Sequence, residues 1–290
     1  MAGLLTPETL GFRPVEGDEH AWRLELRNRP LRFRSLHRLE DLEPIDDLQR
    51  ETLGTSDYDL IPASELVVVP ETGGHVLAVY ADEDHGGEML AAGFSWGGFV
   101  AGRPRLVSDF LGVRHTARSL GIGEAMKRLQ AALASQAGFE EIAWTVDPLR
   151  AANARLNFSK LGAISYQYER NRYGESFGEA HYGGLPTDRL HVSWPIRDRR
   201  VIDLLLTSSQ PHPVAATEDD ARTVAIPDDI DIVLSASREE ALRWRLRVRD
   251  EIETLFADGW QIDGFAPAGT LGTEPALVLH RNTSVRSRRR

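Results

Sequence analysis

Ile122, Met126, Leu129 and Leu133 recur at i, i+4, i+7 and i+11, a single apolar stripe at helical period. The spacing predicts a helix over 123–137, closed by Gly138 as its C-terminal glycine. Upstream, apolar runs and alternation predict strands at 22–26, 75–80, 89–96 and 106–113. The DEDHGGE stretch at 82–88 reads as a turn, which makes the second and third of these strands an antiparallel hairpin. Leu42, Ile45, Leu48 and Leu53 predict a helix over 41–53. Downstream, 141–146 reads as a strand punctuated by Pro148. A helix over 151–161 stops at Gly162, and strands at 163–168 and 190–196 follow.

The pattern lapses over 207–219, where TSSQPHPVAATED is rich in Pro, Ser and Thr and lacks a period. Beyond it, 230–234 reads as a strand, and Ser237 with Glu240 forms a capping box. Ala241, Trp244, Val248, Ile252 and Leu255 share one helical face, Gly259 ends that helix, and strands follow at 260–265 and 276–280. Arg243, Arg245, Arg247 and Arg249 alternate with period two inside this helix. That spreads them around the axis, so they read as solvated charges. The resulting organisation is an irregular lead-in at 1–30, a main domain at 31–200, a linker at 201–223, a small α/β unit at 224–283 and a basic tail at 284–290. The tail reads as a solvated end. The fold class is α+β: a mixed, mostly antiparallel sheet flanked by helices, plus the small C-terminal α/β unit.

Composition narrows the classes of function. The 290 residues suffice for a sizeable core, and 41% apolar with 27% charged residues is ordinary for a globular chain. With no cysteine, disulfides, thiolate nucleophiles and cysteine zinc sites are excluded, and a cytoplasmic setting is expected. The net charge of −10 argues against a nucleic-acid partner. No run approaches the ~18 apolar residues of a membrane span, and the N-terminus does not read as a signal peptide. Nine histidines are scattered singly, so no metal is expected.

The candidate chemistry lies where the 106–113 strand meets the 123–137 helix. Arg118, Ser119, Leu120, Gly121, Ile122 and Gly123 form an R-x-x-G-x-G turn. Glycines let backbone N–H groups approach a ligand, and a helix start offers free N–H groups and a positive dipole end. The construction suits a pyrophosphate, with Arg118 adding a charge-assisted hydrogen bond. No P-loop pattern is present, and the preceding hairpins do not suit a Rossmann βαβ array. The segment from Val113 to Gly123 followed by an amphipathic helix resembles the acyl-CoA signature of the GNAT N-acyltransferase superfamily. The segment from Asn153 through Phe158, Lys160 and Gly162 to Ala163 resembles a later helix of that superfamily. The likeness covers about 31–196. Trp144–Leu149, Tyr173-Gly174 and Gly184–Arg189 further resemble a bacterial GNAT subgroup associated with N-succinylamino-acid racemases.

The resemblance implies the GNAT fold and direct acyl transfer from acetyl-CoA or succinyl-CoA to the amino group of a small molecule, with an amino acid as the expected acceptor. A protein N-acetyltransferase and a non-catalytic acyl-CoA-binding module are the alternatives, and a homodimer is allowed. The expected CoA-contacting residues are Leu111, Val113, Arg118, Ser119, Leu120, Gly121, Ile122, Gly123, Glu124, Asn153 and Lys160. Backbone N–H groups near Leu111 and Val113 would face the developing oxyanion. Asp109 and Asp147 are the candidate bases, each weighed against a structural ion pair or turn cap. His115 is a further candidate, with a loop residue or phosphate contact as its other readings. Phe158 stands where many members have tyrosine, so Tyr166, Tyr168 or Tyr173 would supply a proton to the thiolate, or the thiolate leaves unaided. Arg170, Arg172 and Arg189 could grip a substrate carboxylate, against an ion pair with Asp188.

Overall fold

In the computed structural model, residues 5–53, 59–82, 87–174, 182–207 and 221–281 are described. The strands are β1 (Arg13–Val15), β2 (Asp18–Leu26), β3 (Arg29–Ser35), β4 (His75–Ala81), β5 (Met89–Val100), β6 (Arg103–Val113), β7 (Glu141–Val146), β8 (Ile164–Glu169), β9 (Arg189–Trp194), β10 (Ala221–Ala225), β11 (Trp260–Ala266) and β12 (Ala276–Arg281). The helices are α1 (Leu39–Leu42), α2 (Pro44–Leu53), α3 (Ala63–Leu66), α4 (Ile122–Gln136), α5 (Ala151–Ala154), α6 (Arg199–Thr207), α7 (Ile230–Ala236) and α8 (Arg238–Ala257). A π-helical turn at Arg155–Lys160 continues α5. The mixed, mostly antiparallel α+β class is as expected.

The chain forms two compact units, one of Met1–Ala143 with Pro195–Leu206, the other of Trp144–Trp194 with Thr207–Arg290. The division falls inside the 31–200 stretch expected as one domain. The C-terminal α/β elements group with Trp144–Trp194.

In the first unit, β1 to β6 lie in chain order, each antiparallel to the next. The start of β7 runs parallel to β6 through Arg105↔Glu141, Leu106↔Ile142 and Val107↔Ala143. Leu42, Ile45, Leu48, Leu66, Val76, Ala78, Phe94 and Phe110 are buried in one core cluster. The helix expected over 41–53 breaks at Glu43, because Pro44 starts a new helix instead of continuing one. The irregular lead-in contains β1 and β2, and β3 follows. The expected turn at 82–88 lies mostly outside the described residues. Its flanks, β4 and β5, form the expected hairpin.

In the second unit the strand order is β7-β9-β8-β11-β12-β10. The expected strand at 230–234 is instead the helix α7. Asp229 caps it, its carboxylate accepting from the Asp231 and Ile232 N–H groups at 2.9 and 3.4 Å. That cap overrides the apolar-polar alternation of Ile230-Asp231-Ile232. Ser237 caps α8 as its sequence indicates, accepting from the Glu240 N–H at 3.2 Å. The ends of the expected 201–223 linker are ordered as α6 and β10, its centre and the basic tail lying outside the described residues. β10 pairs with β12.

Candidate functional site

The first unit presents a corner made of backbone. β6 carries a bulge: Phe110 pairs with Phe94 and Ser108 with Ser95, so Asp109 is the extra residue. A bulge re-aims the side chain it carries. Asp109 is exposed, and Trp96 donates its indole N–H to the carboxylate at 3.1 Å.

Beyond the bulge the ladder fixes where the strand's amides point. The Arg114 N–H donates to the Leu90 carbonyl at 2.9 Å. Bonded pairs alternate along an antiparallel ladder. Gly112 and Phe110 therefore bond toward β5, while the N–H and C=O groups of Leu111 and Val113 point to the opposite edge. The β7 pairing on that edge ends at Val107, and among the described residues no strand pairs with Leu111 or Val113 on that edge.

The strand runs through a short 3-10 turn at His115–Ala117 into the glycine corner. Ser119 has φ 65° and Gly121 φ 91°, both left-handed. Gly121 is the N-cap of α4, and no side chain caps it. The helix's first turn closes with the Ala125 N–H on the Gly121 carbonyl at 3.0 Å. The N–H groups of Ile122, Gly123 and Glu124 precede that bond, in the part of a helix whose amides have no intrahelical acceptor. A Cβ on Gly121 would meet nothing within 4 Å, and one on Gly123 would meet the Leu111 Cδ2 at 3.6 Å. The corner is open, as an anion cradle requires. Arg118 and His115 are exposed beside it.

Behind the corner, α4 buries Lys127, whose ammonium donates to the Ser108 hydroxyl at 2.7 Å and to the Gln130 amide oxygen at 3.3 Å. Burial pulls this lysine down to about 7. Sequence reading missed it, although Lys127 immediately follows Met126 of the apolar stripe.

The second unit is built from paired side-chain charges. Asp147 is buried and grips Arg245 through both oxygens, at 2.7 and 2.8 Å. Burial pushes the Asp147 carboxyl up, but the attraction and hydrogen bonds of Arg245 outweigh it. Arg189 and Arg150 add to that attraction, and Asp147 is held at about 2. Asp188 is fully buried and takes Arg249 at 2.8 and 2.9 Å, the Tyr168 hydroxyl at 2.8 Å and the Asn171 N–H at 3.0 Å. Burial and Asp188 together push the Tyr168 hydroxyl up.

Arg245 and Arg249 correct the solvated-arginine reading. Ala241, Arg245, Val248 and Ile252 are the buried residues of α8, so Arg245 sits on the apolar stripe itself. Its spacing, four residues after Ala241 and three before Val248, is the signal the period-two count overlooked. Asp188 pairs with Arg249, while Arg170 pairs with Glu253 and Arg172 with Glu169.

The Tyr173 hydroxyl lies 3.1 Å from the Thr145 hydroxyl. Its loop is tied down by the Tyr173 N–H donating to the Thr187 hydroxyl at 3.0 Å. Asn153 is exposed on α5, Lys160 is half-buried at the end of the π-helical turn, and Phe158 is buried beneath it. Among the described residues no group of three His, Asp or Glu side chains could hold a metal ion. Nor is any helix there long and apolar enough to cross a membrane.

No protein-family model and no curated protein matches the sequence. Solved structures do show likeness in part. A chain of the NatC complex bound to Gag peptide and CoA is 12% identical over 57% of this chain and 98% of its own, with a TM-score of 0.45. An acetyltransferase of the GNAT family from Streptococcus pneumoniae is 15% identical over 56% and 97%, with a TM-score of 0.43. The ribosomal-protein-S18-alanine N-acetyltransferase from Escherichia coli is 17% identical over 57% and 94%, with a TM-score of 0.43.

Proposed function

We propose that the chain is a GNAT-type acyl-CoA-dependent N-acyltransferase that transfers an acetyl or succinyl group directly to the amino group of a small molecule, with an amino acid as acceptor. The observation that carries the reading is the β6–α4 corner: strand amides aimed at an open edge, followed by an uncapped helix N-terminus. The glycines suit a diphosphate, since a Cβ on Gly121 would meet nothing within 4 Å and the backbone there is bare. The CoA thioester supplies the activated acyl group. The N–H groups of Ile122, Gly123 and Glu124, with Arg118, hold its diphosphate. The N–H groups of Leu111 and Val113 stabilise the carbonyl oxygen as its charge develops.

The amine nitrogen attacks the thioester carbon, a C–N bond forms, the C–S bond breaks, and the amine loses a proton. Asp109 is the base of this proposal: it is exposed, re-aimed by the bulge, and among the described residues its hydrogen-bond partner is the Trp96 indole. Asp147 serves instead as the buried partner of Arg245, both its oxygens already engaged. Phe158 has no proton to give, so the thiolate leaves unaided and takes its proton from solvent.

A panel of free amino acids offered with acetyl-CoA and succinyl-CoA, followed by thiol release, tests the reading. Turnover of at least one free amine is expected, with the preferred donor naming the acyl group. Turnover confined to peptide N-termini would make the chain a protein N-acetyltransferase. CoA binding without thiol release on any amine would leave a binding module.

A further inference from the structure

Among the described residues of the second unit, two arginines are buried, Arg189 and Arg245, and only Arg245 is hydrogen-bonded to a carboxylate. Four carboxylates of the unit each take one arginine through both oxygens, among them half-buried Glu253 with Arg170. Asp147 takes Arg245, Asp188 takes Arg249, and Asp231 takes Arg150 at 2.9 and 3.0 Å. Among the described residues Arg189 has no carboxylate hydrogen-bonded to it. It lies close enough to help hold Asp147 ionised, yet Asp147 spends both oxygens on Arg245.

Arg189 is 4% exposed. It donates to the Asp188 backbone carbonyl at 2.9 Å and to the Tyr182 hydroxyl at 2.9 Å. The rings of Tyr173 and Tyr182 lie 5.0 and 4.9 Å from its Cζ. All of these partners are neutral. A guanidinium this deeply buried normally has an anion against it, because stacking and neutral acceptors offset only part of the cost of leaving water. Tyr173, 40% exposed, joins the group to solvent.

We propose that Arg189 anchors a subsite for one carboxylate, supplied by a ligand. One buried positive charge matches one monoanion, and the planar fork of arginine suits a carboxylate. The Tyr173 and Tyr182 rings hold the guanidinium in place, and the Tyr182 hydroxyl lies against it. Under the acyltransferase reading, on which only the carboxylate's origin depends, it belongs either to the acceptor amine or to the far end of a dicarboxylic acyl group.

Calorimetric titrations of wild type, Arg189→Gln and Arg189→Lys separate these sources. The first arm compares free amino acids with their amides, and the second compares succinyl-CoA with acetyl-CoA. Wild type should favour the acid by about tenfold or more in one arm, the worth of one charge-assisted contact. Arg189→Gln should erase that preference, Arg189→Lys should keep part of it, and acetyl-CoA affinity should stay unchanged in both. Discrimination in the first arm assigns the carboxylate to the acceptor, and in the second to the acyl group. Equal binding of acid and neutral probes by wild type in both arms overturns the subsite, as does a preference that survives in Arg189→Gln. Should Arg189→Gln fail to fold, Arg189→Lys and the wild-type comparison still decide. Failure of any CoA ligand to bind wild type would sink the acyltransferase reading, while the amino-acid arm still judges Arg189.

Discussion

The β6–α4 corner of the first unit and the arginine network of the second are made of opposite materials. The corner works through backbone: amides at Leu111 and Val113, a glycine N-cap, and a helix start with space in front of it. The network works through side chains, with Asp147, Asp188, Arg245 and Arg249 drawn from residues far apart in sequence. A backbone site keeps its donors under most substitutions and fails when something fills it. A charge network fails when any one member is removed. The difference predicts which changes harm binding and which harm stability.

The largest effect expected is on the network. Arg245→Met leaves Asp147 buried without its partner and should destabilise the fold by about 3–5 kcal/mol, read by urea unfolding at neutral pH. Replacing both, as Asp147→Leu with Arg245→Met, should recover most of that loss. A single variant as stable as wild type would show that the pair contributes little. The same pair sets an acid limit. Asp147 sits at about 2 against an ordinary 3.8. As pH falls the unfolded chain binds this proton first, so the pair's stabilisation is complete above about 4 and drains away toward about 2. In the double variant this part of the acid loss should vanish.

The corner should show the reverse pattern. Gly123→Asp places a carboxylate where the diphosphate would lie and should weaken CoA binding roughly 30- to 100-fold by calorimetry. Stability should change by less than about 1 kcal/mol, because an acidic residue in a helix's first turn is itself favourable. Gly123 is a better probe than Gly121, whose φ of 91° would strain any side chain. Unchanged CoA affinity would displace the cradle from this corner.

Lys127 brings a buried charge into the first unit, so it tests how sharp the contrast is. Its pKa is lowered from 10.5 to about 7. Between those values the unfolded chain holds a proton the folded one lacks, so stability should rise with pH, at up to ~1.4 kcal/mol per pH unit. Lys127→Met should remove that slope in denaturation curves taken from neutral to mildly alkaline pH. The smallest effect belongs to the exposed pair of Arg243 with Glu239, where Arg243→Ala should leave the urea unfolding midpoint essentially unchanged.

Legibility in the sequence divides along the same line. The turn at Arg118–Gly123 and the helix behind it were readable because glycine placement and a 3.6-residue stripe are local properties. The Asp229 cap was equally local, yet the alternation of Ile230-Asp231-Ile232 hid α7. Asp147 was legible as a carboxylate beside Pro148, but not as the partner of a residue 98 positions away. The bulge at Asp109 was also out of reach, since it exists only relative to the register of β5.

By itself the sequence determined the helix that begins at the glycine corner, the strand that feeds it and the capping box that opens α8, because each follows from neighbours within one or two turns of chain. Tertiary structure alone decided that Arg245 turns inward, that Lys127 meets Ser108, and that Arg189 is left without a carboxylate among the described residues. Those outcomes depend on which distant groups share a low-dielectric space, and charge pairing there is set by packing and not by position along the chain.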